Sequence, residues 1–245
     1  MIFRAIRRAI ALVLAIVLSI LRYWLLRLRG PITMERRALW GQQTARIILA
    51  CVGIRCRVEG TPPTQGLVVA NHLSIIDVLI LSADMPCFFV AKIEVGGFSY
   101  FGKAARCSGT IFLDRSSLES AMSVADQMIE RFKLQIPVLL FPEGTSTDGL
   151  KLLPFHPRLI DPATSTGTQI TTATVRYVLK GGTPEKELCW WGDESFGTHM
   201  LKVIGVAGFT AIVRFGEPRI YPDRRTAADA TRAEIAEMRV QMPLP

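Results

Sequence analysis

The chain has 245 residues, 49% of them apolar and 20% charged, with 29 Lys and Arg against 21 Asp and Glu. That length holds one globular domain plus an accessory segment, and the apolar share excludes an intrinsically disordered chain. Five scattered cysteines (Cys51, Cys56, Cys87, Cys107, Cys189) form no C-x-x-C pair, and His72, His156 and His199 lie apart from them. Neither a disulfide framework nor a metal site is expected.

The net charge of +8 sits at one end. Residues 1–60 carry eleven arginines against Glu35 and Glu59, whereas residues 61–245 carry 18 basic and 19 acidic side chains. The body therefore lacks the basic stripe that marks nucleic-acid binding. The same end is strongly apolar: residues 9–21 read AIALVLAIVLSIL, with Ser19 the only polar side chain. As a helix this run is ~20 Å long, short of a ~30 Å hydrocarbon core, and it extends through Tyr23–Leu26 only if Arg22 snorkels. No small-x-small cleavage site follows, which argues against a removed signal peptide. Arginines flank the run on both sides, so a helix embedded from the cytoplasmic face keeps both clusters inside. A second helix is expected from Thr33, a good N-cap, to about Val52, with Gly53 as its stop. Residues 1–53 thus read as a membrane-anchoring helix pair suited to an anionic lipid surface.

From residue 54 short β-branched or aromatic runs alternate with helical periodicity. Strands are predicted at 54–58, 67–70, 87–91, 110–113, 138–141, 170–177 and 211–215, and helices at 75–83, 97–106, 117–132, 196–204 and 226–240. This order predicts a single α/β domain over 54–245, with a central, mostly parallel or mixed sheet flanked by helices. In the helix over 117–132, Ser116 and Glu119 read as a capping box, and Leu118, Met122, Ala125, Ile129 and Phe132 as its core-facing stripe.

Three strand ends carry chemistry. After the second strand comes Asn71-His72-Leu73-Ser74-Ile75-Ile76-Asp77, a histidine leaving a strand and a carboxylate in the first turn of a helix. A general base needs an imidazole of fixed tautomer, which a carboxylate on Nδ1–H provides. The alternatives are a core histidine and an ordinary helix-start aspartate. Next, Gly109-Thr110-Ile111-Phe112-Leu113-Asp114-Arg115 delivers an arginine whose donor fork suits a phosphate, or else pairs with Asp114 or Glu119. Last, the strand over 138–141 runs into Pro142-Glu143-Gly144-Thr145-Ser146, a turn presenting a carboxylate and two hydroxyls. All three follow the carboxyl ends of strands, where open α/β sheets place their ligand crevice.

These blocks, Asn71–Asp77, Gly109–Arg115 and Phe141–Thr145, together resemble the glycerolipid acyltransferases, in particular the bacterial 1-acyl-glycerol-3-phosphate (lysophosphatidic acid) acyltransferases, which carry N-H-x-x-x-x-D, G-x-x-F-x-x-R and F-P-E-G-T in this order. The resemblance covers roughly residues 50–180. It implies that His72 and Asp77 are the catalytic pair, and that Arg115 and Glu143 with Gly144 and Thr145, beside Gly109, hold the acceptor. It implies an acyl-CoA or acyl carrier protein donor, a lysophospholipid acceptor, no cofactor, and a place on the cytoplasmic face of the bacterial inner membrane. The chain departs from the family where 170–175 is threonine-rich and lacks a proline, and where Pro154-Phe155-His156-Pro157 replaces a usual Phe-Lys pair. Trp190-Trp191-Gly192-Asp193 resembles a branch that includes lyso-ornithine-lipid acyltransferases, an alternative acceptor for the same chemistry.

Two other classes compete. A serine lipid hydrolase needs an activated nucleophile, yet no G-x-S-x-G elbow is present, and Ser74 and Ser146 are the only serines inside the motifs. A nucleotide-binding loop over 97–104 lacks the Ser or Thr that ligates magnesium and is too aromatic to cradle phosphates.

Overall fold

The computed structural model describes residues 2–242. Seven strands form one sheet: β1 (Arg55–Glu59), β2 (Leu67–Ala70), β3 (Phe88–Lys92), β4 (Ile111–Leu113), β5 (Val138–Leu140), β6 (Ile170–Leu179) and β7 (Phe209–Phe215). Their spatial order is β1-β7-β6-β2-β5-β3-β4, and every pairing is parallel except β6–β7. Eight α-helices surround them: α1 (Ile2–Leu28), α2 (Met34–Val52), α3 (Ile76–Asp84), α4 (Ser99–Ser108), α5 (Leu118–Phe132), α6 (Asp161–Ser165), α7 (Phe196–Gly205) and α8 (Arg224–Gln241).

The period of two along a strand explains the layering. In β2, Val68 and Ala70 join a core with Ile48 and Leu49 of α2, Ile80 of α3 and Val203 of α7. Leu67 and Val69, pointing the other way, join Val124 and Met128 of α5, Ala163 of α6 and Ile235 of α8. Both faces are covered, so β2 and β5 are apolar throughout and wholly buried.

The strands lie within two residues of their expected ends, and β6, threonine-rich but buried, is the longest. Three local expectations need correction. The cap of α5 is Ser117, which accepts from Ser120 N–H at 3.1 Å, while Ser116 turns to Asp114. Its buried residues are Val124 and Met128, with Phe132 packed beside them as expected; Leu118 and Met122 are exposed, the helix starting at the sheet edge formed by the three-residue β4. The helix expected over 97–106 begins at Ser99, after a 3₁₀ turn at Ile93–Gly97.

Helix α1 is 27 residues long, well beyond its apolar run, and is long and apolar enough to cross a membrane. It nevertheless lies along the body. Near its start Arg4 donates to the Gly205 carbonyl at 3.2 Å, and Arg8 to the carbonyls of Ile204 and Val206 at the end of α7. Further on the Ser19 hydroxyl meets Tyr100 of α4, and Trp40 of α2 donates to the Ser19 carbonyl at 3.1 Å. Tyr23 then packs edge-on against Trp40. The opposite face exposes Phe3, Ile10, Leu14, Leu21, Trp24 and Leu25. Thr33 caps α2 and Gly53, at φ 76°, ends it in the left-handed region, as expected.

Candidate active site

Where β2 ends, the side chain of Asn71 continues the ladder to β6. Its amide donates to the Val175 carbonyl at 3.1 Å and accepts from the Val175 N–H at 2.8 Å. This carboxamide, standing in for a peptide group, fixes the direction in which the chain leaves the sheet. His72 follows, and its Nδ1 lies 2.9 Å from Asp77 Oδ2.

Asp77 is completely buried and its carboxylate is surrounded by donors. Oδ2 also accepts from the N–H groups of Leu73 at 2.7 Å and Ser74 at 2.9 Å, and Oδ1 accepts from the Tyr177 hydroxyl. A buried charge is tolerable only with such a set. With Nδ1–H given to Asp77, the nitrogen of His72 left to act as acceptor is Nε2. The imidazole is stacked on Phe141, ring centroids 4.0 Å apart and planes 11° from parallel.

His72 lines a cavity of about 440 Å³ that reaches between α2, α3 and α4. Its walls are mostly apolar, among them Trp40, Ile48, Leu79, Phe89 and Ala104, and its polar side chains include Lys92, Glu94, Arg115, Thr145, Ser146 and Glu194. A mostly apolar space with a few polar groups suits a lipid-like ligand.

The expected site residues divide into two groups. Arg115 lines the cavity and donates through Nη2 to the Gly144 carbonyl at 2.7 Å. Among the described residues no carboxylate lies within ion-pair distance of it; Asp114 instead accepts from Ser116. Gly144, at φ 74°, and Thr145 line the same region, and a Cβ on Gly144 would meet Arg115 Nη2 at 2.6 Å. Glu143 is not part of that lining. It is buried, Oε1 accepting from the His72 N–H at 2.9 Å and Oε2 from the Leu153 N–H at 2.8 Å, and burial raises its pKa despite these donors. Gly109 is also off the cavity: at φ 88° it ends α4, and a Cβ there would touch the Phe88 ring at 3.0 Å.

Sequence reasoning missed Phe141 as a stacking partner, Tyr177 as a donor to Asp77, and a second histidine. His199 Nε2 lies 2.5 Å from the Ser74 hydroxyl, its Nδ1 lies 3.6 Å from Glu194, and its ring is stacked on Trp190. The order of residues is that of a serine–histidine–acid triad, but the Nδ1–Glu194 separation is too long for a hydrogen bond, Ser74 and His199 are wholly buried, and neither lines the cavity. The group is a latch. Trp190 N–H donates to the Leu73 carbonyl at 2.8 Å, and Ser146 donates to the Trp190 carbonyl, so the segment around Trp190 clamps both motif loops. Local sequence carries no signal for partners this distant. The aromatic segment after residue 97 lines the cavity, Phe98 and Phe101 packing on Phe196.

A family model described as Acyltransferase matches residues 54–176. The lyso-ornithine lipid O-acyltransferase of Rhodobacter capsulatus is 36% identical over 199 residues, spanning 78% of this chain and 72% of that protein. The 1-acyl-sn-glycerol-3-phosphate acyltransferase of Neisseria meningitidis is 32% identical over 177 residues, spanning 71% and 69%. The crystal structure of the 1-acyl-sn-glycerophosphate acyltransferase of Thermotoga maritima superposes with a TM-score of 0.69 at 16% identity, covering 99% of this chain and 97% of that one, a likeness of fold. With the histidine–aspartate pair seated at an apolar cavity and these relatives matching along most of their length, the chain belongs to the acyltransferase family.

Proposed function

We propose that this acyltransferase moves an acyl group from a thioester, on coenzyme A or acyl carrier protein, to the free hydroxyl of 1-acyl-glycerol-3-phosphate at a membrane surface. The observation that carries the reading is the position of His72: Nδ1 is bonded to a buried carboxylate and the ring borders an apolar cavity beside Arg115. Nε2 takes the proton of the acceptor hydroxyl as its oxygen attacks the thioester carbonyl. The C–O bond forms, the C–S bond breaks, and the proton passes from Nε2 to the departing sulfur. Asp77 stabilises the imidazolium meanwhile, and no acyl-enzyme is formed. Arg115, which among the described residues has no carboxylate partner, receives the anionic headgroup. Glu143 supports the His72 loop rather than touching the acceptor.

The fold supports a membrane setting. Helix α1 is tied to the body at Arg4 and again at Ser19, and its outer face is apolar, which favours a helix embedded along one leaflet over an independent span. The flanking arginines favour the cytoplasmic side.

A second acceptor is favoured by a specific observation: the 36% identical Rhodobacter capsulatus protein is named for lyso-ornithine lipid. An arginine fork serves a carboxylate as well as a phosphate. The test incubates the purified protein with an acyl thioester and either lysolipid in detergent micelles and identifies products by mass. Diacylated product from lysophosphatidate supports the first reading, and product only from lyso-ornithine lipid moves the assignment to the second. If neither yields an ester, or if His72→Ala retains near-normal turnover instead of losing ~10²–10⁴ in rate, the proposal fails.

A further inference from the structure

The strand β6 departs from the family pattern in sequence, yet it supplies a contact to the reacting centre. Tyr177 is completely buried on β6, and its hydroxyl donates to Asp77 Oδ1, the carboxylate oxygen that does not face His72. Among the described residues that oxygen has no other hydrogen-bond donor. Phe in place of Tyr would fill nearly the same volume, so the hydroxyl is not needed for packing; buried without a partner it would be costly. Two features fix its aim. The Tyr177 N–H donates to Glu185 Oε1 at 2.7 Å, and Glu185 is held by Arg239 of α8 at 2.7 Å. Two residues earlier on the same strand, Val175 holds Asn71. One strand thus sets both the exit of the catalytic loop and the far side of its carboxylate. Burial and the neighbouring Asp77 both raise the phenol's pKa, which keeps it protonated as a donor.

We infer that Tyr177 is a positioning residue that sets the orientation and charge of Asp77 and, through it, the strength of His72 as a base. The inference rests on the His72–Asp77 reading above. By sharing Asp77's negative charge, the phenol limits how strongly that carboxylate holds the imidazole N–H. Without it the carboxylate bears undiluted on the ring and favours the imidazolium, and the ring is less well aimed. The other titratable groups packed round the pair are Glu143, Glu185, Cys189, His199, Arg239 and, at the cavity, Arg115; none of them bonds to Oδ1.

The test measures pH profiles of kcat and kcat/KM for Tyr177→Phe beside the unaltered protein and His72→Ala, using whichever lysolipid the product assay above identifies as the acceptor. In Tyr177→Phe kcat falls about tenfold, both KM values stay within about twofold, and the acid limb of kcat/KM moves up by about half a pH unit or more. Site-specific 3-fluorotyrosine at position 177, a stronger donor of nearly the same shape, moves the limb the other way; it also serves if Tyr177→Phe folds poorly. If the limb and kcat stay put in a folded Tyr177→Phe while His72→Ala is inactive, this inference is overturned and the catalytic pair stands. If His72→Ala is active, the pair itself is wrong and the inference falls with it.

Discussion

Phe141 lies parallel to the His72 imidazole with ring centroids 4.0 Å apart, and a second aromatic, Phe89, stands 6.4 Å behind it. The stack holds the ring while Asp77 sets its tautomer, and it becomes a cation–π contact when the ring is charged. Phe141→Leu removes part of a buried ring and costs about 1–3 kcal/mol of stability. Its kcat should fall about tenfold with KM nearly unchanged, since only aim is lost. Steady-state kinetics with urea unfolding checks both halves; loss of stability without loss of kcat refutes the role.

Glu143 uses one oxygen for the His72 N–H and the other for the Leu153 N–H. A glutamine offers one acceptor, so Glu143→Gln leaves an amide N–H facing a backbone N–H. The expected cost is ~1–3 kcal/mol of stability, with a lower kcat and an unchanged acceptor KM. A rise in acceptor KM alone would instead make Glu143 an acceptor contact.

In the proposed reaction Arg115 serves binding and not chemistry. Loss of a charge-assisted contact should raise acceptor KM by about 10- to 100-fold in Arg115→Ala, leaving kcat within a fewfold. Gly144→Ala should act in the same direction, because its Cβ displaces the guanidinium and its φ of 74° strains any side chain. Titrating acceptor at saturating donor reads both; a kcat effect without a KM effect contradicts the assignment.

His199 makes stability depend on pH. Burial pushes its pKa below the ordinary 6.5, against the pull of Glu194. As pH falls, the unfolded chain binds this proton first, so the stability is present above about pH 6.5 and is lost as pH drops towards the folded value. Asp84, pushed up to about 6 by burial, and Glu143 act in the opposite sense in both proteins. The melting temperature of the unaltered protein should therefore fall more steeply from about pH 7 to about pH 5.5 than that of His199→Gln. Parallel slopes would show that His199 does not titrate across folding.

Much of the architecture was readable because β-branched runs and helical periods are local. Leu67–Ala70 and Val138–Leu140 stand out as apolar runs since both sheet faces are covered. Periodicity alone does not show that α5 begins at the edge of the sheet, so it places Leu118 and Met122 on a core that does not reach them. The apolar run of α1 stopped at its arginines, but the helix does not, because Arg4 and Arg8 find carbonyls on α7. At the site, His72 and Asp77 are five residues apart and announce each other. Tyr177 lies a hundred residues from Asp77, and Glu143's turn away from the cavity depends on an amide at Leu153; such partners are set by sheet order.

An imidazole bonded on one edge to Asp77 and stacked on one face against Phe141 loses both contacts if it turns over, so the proposed reaction keeps it in one orientation between steps. A single nitrogen must then serve as both the port of entry and the port of exit for the travelling hydrogen. Alcohol and thioester sulfur have to stand within reach of that one atom during the same visit, so the two substrates assemble together, and double-reciprocal plots should converge rather than run parallel.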